Sequence, residues 1–112
     1  MNRSTIEAII AQYEKHGWRL RRVIVTEKLR NVLGRDIDVF QQAEVVSSDV
    51  DAAWFSRVSG PGKETWELRG LASAPFALDA FLSDDLSDPE RDEILQNTVE
   101  RMRGSATSHG GH

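Results

Sequence analysis

The spacing of apolar residues changes along the chain, and each change predicts a new element. Residues 5–16 are predicted to form a helix, because apolar side chains recur at intervals of three and four before Gly17: Ile6, Ile9, Ile10 and Tyr13. Residues 18–26 then alternate between apolar and basic and predict a strand. Arg22 falls in the apolar phase of that strand, so it is expected at the sheet margin or beside an acidic partner.

The stretch after this strand has the weakest pattern. Residues 27–33 have apolar side chains at helical spacing before Gly34, which predicts a short helix, with an extended continuation of the strand as the alternative. In residues 35–49, Ile37 and Val39 alternate with aspartates, which indicates a short strand. Residues 41–42 and 47–49 have the composition of loops.

The middle of the chain predicts a three-stranded antiparallel meander. Residues 50–58 and 64–71 flank a turn at 59–63, and residues 75–82 follow as the third strand. If Val58 pairs with Glu64, the alternation separates two faces. The first is expected to form the core: Val50, Trp54, Val58, Trp66, Leu68, Phe76, Leu78 and Leu82. The second combines polar side chains with two aromatics: Phe55, Arg57, Thr65, Glu67, Arg69, Asp79 and Phe81.

A second long helix is predicted from Asp88 to residue 103. Asp88 and Pro89 suit its N-cap and first position, and a buried stripe follows: Ile94, Leu95, Thr98, Val99 and Met102. Gly104 is the expected end of this helix. Residues 104–112 contain a single apolar side chain and are predicted to be disordered.

These elements predict one α+β domain over residues 1–103. Its sheet is expected to have about four mainly antiparallel strands, with the N-terminal and C-terminal helices packed on one face. The other face of the sheet would then be only partly covered.

Composition adds exclusions to this fold. The chain has 112 residues, of which 39% are hydrophobic and 29% charged, and its formal net charge is −4, which is typical of a globular domain and not of a disordered chain. Cysteine is absent, so disulfides and thiolate chemistry are excluded. No apolar run approaches the ~20 residues that span a bilayer, and the N-terminus lacks a signal sequence, so a cytoplasmic location is expected.

The charge is distributed unevenly. Residues 1–35 sum to +5 and the remainder to −9. The basic side chains Arg19, Arg21 and Arg22 are candidates for binding an anion, and the segment 19–35 offers a single-stranded nucleic-acid site as one alternative. The negative total charge disfavours that alternative, and ordinary surface charge explains the pattern more simply.

Catalytic motifs and metal-binding patterns do not emerge. The glycines at 59–63 lack phosphate-loop spacing, and His16 suits a helix C-terminus, where a cationic ring is favoured. Asp84, Asp85 and Asp88 lack the spacing of a calcium loop. The sequence therefore favours a protein that is not an enzyme and has no cofactor.

Three short segments of the middle third carry a resemblance: Trp54–Arg57 (WFSR), Trp66–Arg69 (WELR) and Pro75–Leu78 (PFAL). They resemble a small family of uncharacterised bacterial proteins. The resemblance implies a bacterial origin and no site residues.

The second face of the meander suggests the function. Aromatic side chains ringed by polar groups are typical of interface centres, so Phe55 and Phe81, with Arg57 and Glu67 beside them, are the predicted contacts of a noncatalytic interaction module that forms a homo-oligomer, such as a homodimer. Coverage of this face by residues 27–49 is the competing interpretation. A further alternative is a small-ligand-binding protein or enzyme with a pocket near Trp18, Trp54 and Trp66.

Overall fold

Five strands and three α-helices follow one another in the part of the chain that the structure describes. The structure, a computed structural model, describes residues 3–40, 43–71, 77–83 and 85–110, and only the backbone of 105–110. A 3₁₀ segment (Gly34–Phe40) accompanies the helices and strands, which are, in chain order, α1 (Arg3–Lys15), β1 (Arg19–Val25), α2 (Glu27–Leu33), β2 (Glu44–Ser47), β3 (Ala52–Gly60), β4 (Lys63–Gly70), β5 (Ala77–Ser83) and α3 (Asp88–Gly110). Among the described residues, no helix is long and apolar enough to cross a membrane.

The sheet is mixed, with the strand order β2-β1-β3-β4-β5. β1 and β2 are parallel, and the other neighbours are antiparallel. The fold is therefore α+β as predicted, but the sheet has five strands instead of four. The extra strand is β2, and the strand predicted around Ile37 is wrong. Those residues form the 3₁₀ segment, whose three-residue period lets Ile37 and Phe40 pack against the same core.

The predicted pairing of the central hairpin is confirmed. Val58 lies opposite Glu64, Ser56 opposite Trp66 and Trp54 opposite Leu68. The third strand of the meander is β5, which pairs with β4 from Lys63 to Arg69. The first two residues of that predicted strand, Pro75 and the predicted core residue Phe76, lie outside the described residues.

The two long helices lie on opposite faces of the sheet, so the prediction of one shared face is wrong. α1, α2 and the 3₁₀ segment pack against Phe55, Ala53 and Val23. α3 packs against the other face, at Trp54, Trp66 and Leu68. The reason lies in β3, where five consecutive residues from Ala52 to Ser56 are buried. A strand buried on both sides needs a helical layer on each.

A β-bulge in β1 determines which of its side chains face which layer. The pairing with β3 shifts between Leu20 and Arg22. Leu20, Val23 and Val25 therefore pack in the α1 layer, whereas Ile24 packs in the α3 layer. Strict alternation across 18–26 fails at this point because a bulge inserts one extra residue and reverses the phase.

The helix ends follow local capping. The predicted α2 is confirmed: the Thr26 side chain accepts from Leu29 N at 3.1 Å, and Gly34 follows at φ 51°. At α3, Ser87 and Glu90 form the capping box, since Glu90 accepts from Ser87 N and Ser87 Oγ accepts from Glu90 N. The helix continues past Gly104 to Gly110, so the expected end was wrong. A glycine with helical φ lowers stability by about 1 kcal/mol without ending a helix.

Truncation of Phe55 tests the two-sided core. Phe55→Ala is expected to lower the free energy of unfolding by roughly 3–5 kcal/mol, because its ring is 0% exposed beneath α1. Val32→Ala is the matched control and should change stability by less than about 1 kcal/mol, since Val32 is 61% exposed. Urea unfolding measures both values. Equal effects of the two substitutions would contradict the placement of α1.

Candidate functional site

The two predicted interface aromatics have different environments. Phe55 is buried, and its ring stacks on Tyr13 of α1 with centroids 4.0 Å apart. The expectation that Phe55 lies on an open face is therefore wrong, because α1 covers this half of the sheet. Phe81 remains exposed on β5, beyond the reach of α1, so one of the two predicted aromatics is accessible.

Arg57 and Glu67, predicted beside the aromatics, line a cleft between α1 and the sheet. Its volume is about 340 Å³, and Tyr13, His16 and Trp18 also line it. The Arg57 guanidinium lies over the Trp18 ring, 4.5 Å from its centroid. This cation–π contact holds an exposed arginine in place at the cleft.

Glu67 is a partly buried carboxyl within this cleft. The Tyr13 hydroxyl donates a hydrogen bond to Glu67 Oε2, and Asp79 lies directly opposite Glu67 on β5. Burial raises the pKa of Glu67, Asp79 adds to the increase, and the hydrogen bond from Tyr13 opposes it. Burial and the carboxylate of Glu67 also raise the pKa of Tyr13, so its phenol remains protonated.

This cleft lacks the arrangement of a hydrolytic site. His16 is exposed, and its Nε2 lies 3.1 Å from Gln12 Nε2, so the ring contacts an amide and not a nucleophile. Within the described part of the chain, no group of three or more histidine, aspartate or glutamate side chains is placed to hold a metal ion. Asp84, one of the three acids considered for a cation, lies outside that part.

The predicted anion-binding arginines separate in the structure. Arg19 is exposed, whereas Arg21 and Arg22 are half-buried on the α3 side. Arg21 Nη1 donates to Ser56 Oγ at 3.0 Å and lies 3.4 Å from Glu64 Oε2. Burial is the main cause that lowers the pKa of Arg21. The three side chains therefore do not form one basic strip.

Arg22 lies beside acidic side chains, which is one of the two environments that the sequence predicted for it. Its Nε lies 3.6 Å from Glu44 Oε2, and its Nη2 lies 3.6 Å from Asp92 Oδ1. The first partner belongs to β2 and the second to α3. Arg22 thus links the edge of the sheet to the start of the last helix.

A second cleft, the arginine–tryptophan pocket, lies between the sheet and the start of α3. Its volume is about 270 Å³, and its lining combines Trp66 with three arginines and three acids: Arg21, Arg22, Arg91, Glu44, Asp88 and Asp92. The guanidinium carbons of Arg21 and Arg91 lie 4.6 and 5.8 Å from the Trp66 ring centroid. Sequence reasoning missed Arg91, although a cation in the first turn of a helix opposes the macrodipole and marks the position as unusual.

The outer edge of the sheet at β5 is the third feature. β5 is the last strand in the order, and Phe81 projects from it. An apolar groove of about 470 Å³ adjoins this strand and includes Phe81, Leu86 and Ile94. Exposed apolar side chains beside an unpaired strand edge are the features by which chains associate.

Comparison with known proteins assigns no function to these surfaces. No protein-family model, no curated protein and no solved structure matches the chain. The resemblance of the middle third therefore rests on its three segments alone, and the functional argument rests on the geometry.

The raised pKa of Glu67 predicts a pH dependence of stability. Above the ordinary pKa near 4.5, the unfolded chain releases the proton of Glu67 more readily than the folded chain does, so folding weakens as pH rises. Glu67→Gln removes this titration. From about pH 4 to pH 7, the wild type should therefore lose stability relative to Glu67→Gln.

Urea unfolding at the two pH values measures the difference. Glu14→Gln is the matched control, because Glu14 is an exposed glutamate on α1. A difference between wild type and Glu67→Gln that stays constant with pH would contradict the burial of this carboxyl.

Proposed function

We propose that the protein is a noncatalytic interaction module that forms a homodimer by pairing its β5 edges. The observation that supports this most directly is the outer edge of β5, a seven-residue strand with Phe81 75% exposed beside it. Backbone N–H and C=O groups on such an edge bind a further strand when one is available.

Within residues 77–83, β5 has no proline, lysine or bulge of the kind that protects an edge strand. Its pairing with β4 runs from end to end without a register shift, so no bulge turns it away. Its sequence, ALDAFLS, contains no proline or lysine and a single charge at Asp79. The opposite edge differs, because β2 has only four residues and begins at a glutamate. β5 is therefore the edge that favours pairing.

The strand is also compatible with itself across a two-fold axis. β5 spans Ala77–Ser83, so antiparallel pairing centred on Ala80 uses all seven residues. It sets Leu78 opposite Leu82 of the second copy, both on the α3 side of the sheet, and Phe81 opposite Asp79. No like charges meet directly. Because both copies use the same strand, the assembly closes as a dimer and does not propagate.

The alternatives draw less support from the geometry. Nucleic-acid binding through 19–35 required a basic strip, and Arg21 and Arg22 instead lie beside acids of the same chain. Catalysis by His16 draws no support from its surroundings, because its ring lies beside the amide of Gln12. Ligand binding near Trp66 is compatible with the dimer, because it uses a different part of the surface.

A charge at position 81 tests the dimer. Phe81→Glu is expected to weaken self-association by about tenfold or more, because the new carboxylate lies opposite Asp79 of the second copy and an apolar contact is lost. Val32→Glu is the matched control, since Val32 is also exposed, at 61%, but belongs to α2. Light scattering across a concentration series measures the mass. A monomeric wild type at high concentration would refute the proposal.

Cysteine cross-linking tests the register. The chain has no cysteine, so a single substitution reports on one position. Ala80→Cys should form a covalent dimer on mild oxidation, because residues opposite each other in an antiparallel pair have Cα atoms about 5 Å apart, within disulfide range. Ala77→Cys is the control, since the two copies of residue 77 would lie roughly 20 Å apart. Equal cross-linking of both variants would argue against pairing about Ala80.

A further inference from the structure

We propose that the arginine–tryptophan pocket binds a small oxyanion, a carboxylate or phosphate group whose oxygens accept hydrogen bonds from Trp66 Nε1 and Arg91 Nε. This site goes beyond the proposed dimer, because it lies at the β1 side of α3 and includes no residue of β5. The proposal depends on two buried donors, on the charges around them and on the size of the pocket.

The first donor is the indole of Trp66. The side chain is 3% exposed and lines the pocket. Its Nε1 is buried and has no hydrogen-bond partner among the residues that the structure describes. Buried polar groups are almost always paired, because burial without a partner forfeits the hydrogen bonds made to water. An acceptor that enters the pocket would restore that bond.

The second donor is Arg91. Its Nε is also buried and has no partner within the described ranges. The two other arginines of the pocket have acidic neighbours: Arg22 lies beside Glu44 and Asp92, and Arg21 lies beside Glu64. No described carboxylate pairs with Arg91. Its charge is therefore the one that a ligand would neutralise.

The position of Arg91 strengthens this argument. It lies in the first turn of α3, where the positive end of the helix dipole disfavours a cation. A bound anion would be attracted both by the Arg91 side chain and by the positive end of the α3 dipole, and it would offset the repulsion between those two. The backbone amides contribute less, because Ser87 Oγ already accepts from Glu90 N and Pro89 has no N–H group. Side chains would therefore make the contacts.

Size and charge limit the ligand. At about 270 Å³, the pocket lies just below the range for small-molecule sites. Glu44, Asp88 and Asp92 are exposed at its rim and repel large or highly charged anions. Trp66 and Arg91 both line the pocket, so one donor from each would suit the two oxygens of one carboxylate or phosphate group. A compact molecule with one such group fits these constraints.

The indole N–H signal of Trp66 offers a direct test. The chain has three tryptophans, so a ¹⁵N-labelled sample should give three indole signals, and Trp66→Phe assigns one of them. Sodium phosphate and sodium acetate are added separately to about 10 mM, ten times the dissociation constant of about 1 mM expected for so small a site. Sodium chloride at equal ionic strength is the reference. We expect a saturable shift of the Trp66 signal alone.

The two anions identify the ligand group. A stronger response to phosphate indicates a tetrahedral oxyanion, and a stronger response to acetate indicates a carboxylate. A Trp66 signal that moves with chloride as much as with both anions, or that does not move at all, would overturn the proposal.

Substitution of Arg91 separates a specific site from a general charge effect. Arg91→Gln should weaken binding by about tenfold or more, because one charge-assisted hydrogen bond is lost. Arg101→Gln is the matched control, since it removes the same charge from an exposed position of the same helix. Equal weakening by both variants would count against the site.

Folding and dimerisation are checked in the same samples. The backbone amide spectrum reports whether Arg91→Gln folds, and if it does not, Arg91→Lys replaces it, because lysine keeps the charge and lacks Nε–H. Arg91→Lys should also bind more weakly, and wild-type affinity in that variant would overturn the role of Nε. Light scattering keeps the two proposals separate, because neither Arg91 variant is expected to change the mass.

Discussion

Burial of the central strands on both faces is the constraint on which the rest of the structure depends. Phe55 lies under α1 in contact with Tyr13, and Trp54 lies under α3 in edge-to-face contact with Trp66. Adjacent residues of one strand thus anchor two separate cores. Because each core needs its own helical layer, the chain places α1 and α2 on one side and α3 on the other.

This three-layer arrangement positions the polar features. α1 covers β1 and β3, and its last turn reaches Glu67 of β4 through Tyr13, which creates the cleft around Arg57. On the other side, the bulge in β1 turns Arg21 toward Trp66, while Arg22 links Glu44 to Asp92. The start of α3 brings Arg91 to the same tryptophan. Both clefts therefore lie where a helix end meets the sheet, with an arginine over an indole ring in each.

The two proposals use surfaces that this architecture leaves unpaired. Among the described strands, β5 has a neighbour on one side only, and α1 does not extend over it, so its backbone edge and Phe81 are accessible in this part of the structure. The arginine–tryptophan pocket lies between the sheet and the start of α3, and two buried donors of its lining, Trp66 Nε1 and Arg91 Nε, have no acceptor among the described residues. A dimer through β5 would leave the pocket of each copy open. Association and anion binding can therefore occur in the same molecule.

The elements that depend on local spacing were predictable from the sequence, and the relations between them were not. The first helix, α2, the central hairpin and its register follow from periodicity, from the predicted turn at residues 59–63 and from Gly34, because these signals act over a few neighbouring residues. The buried run Ala52–Ser56 is typical of a strand covered on both faces, but the assumption of strict alternation assigned its residues to one buried and one open face.

Only the tertiary structure decided that Phe55 is buried while Phe81 is exposed, since this depends on where α1 lies across the sheet. It likewise decided that Arg91, about seventy residues after the bulge at the predicted anion-binding arginines Arg21 and Arg22, lies over the same tryptophan ring as Arg21. Packing between distant segments makes such choices, and no pattern of period two or 3.6 records which face a helix will cover.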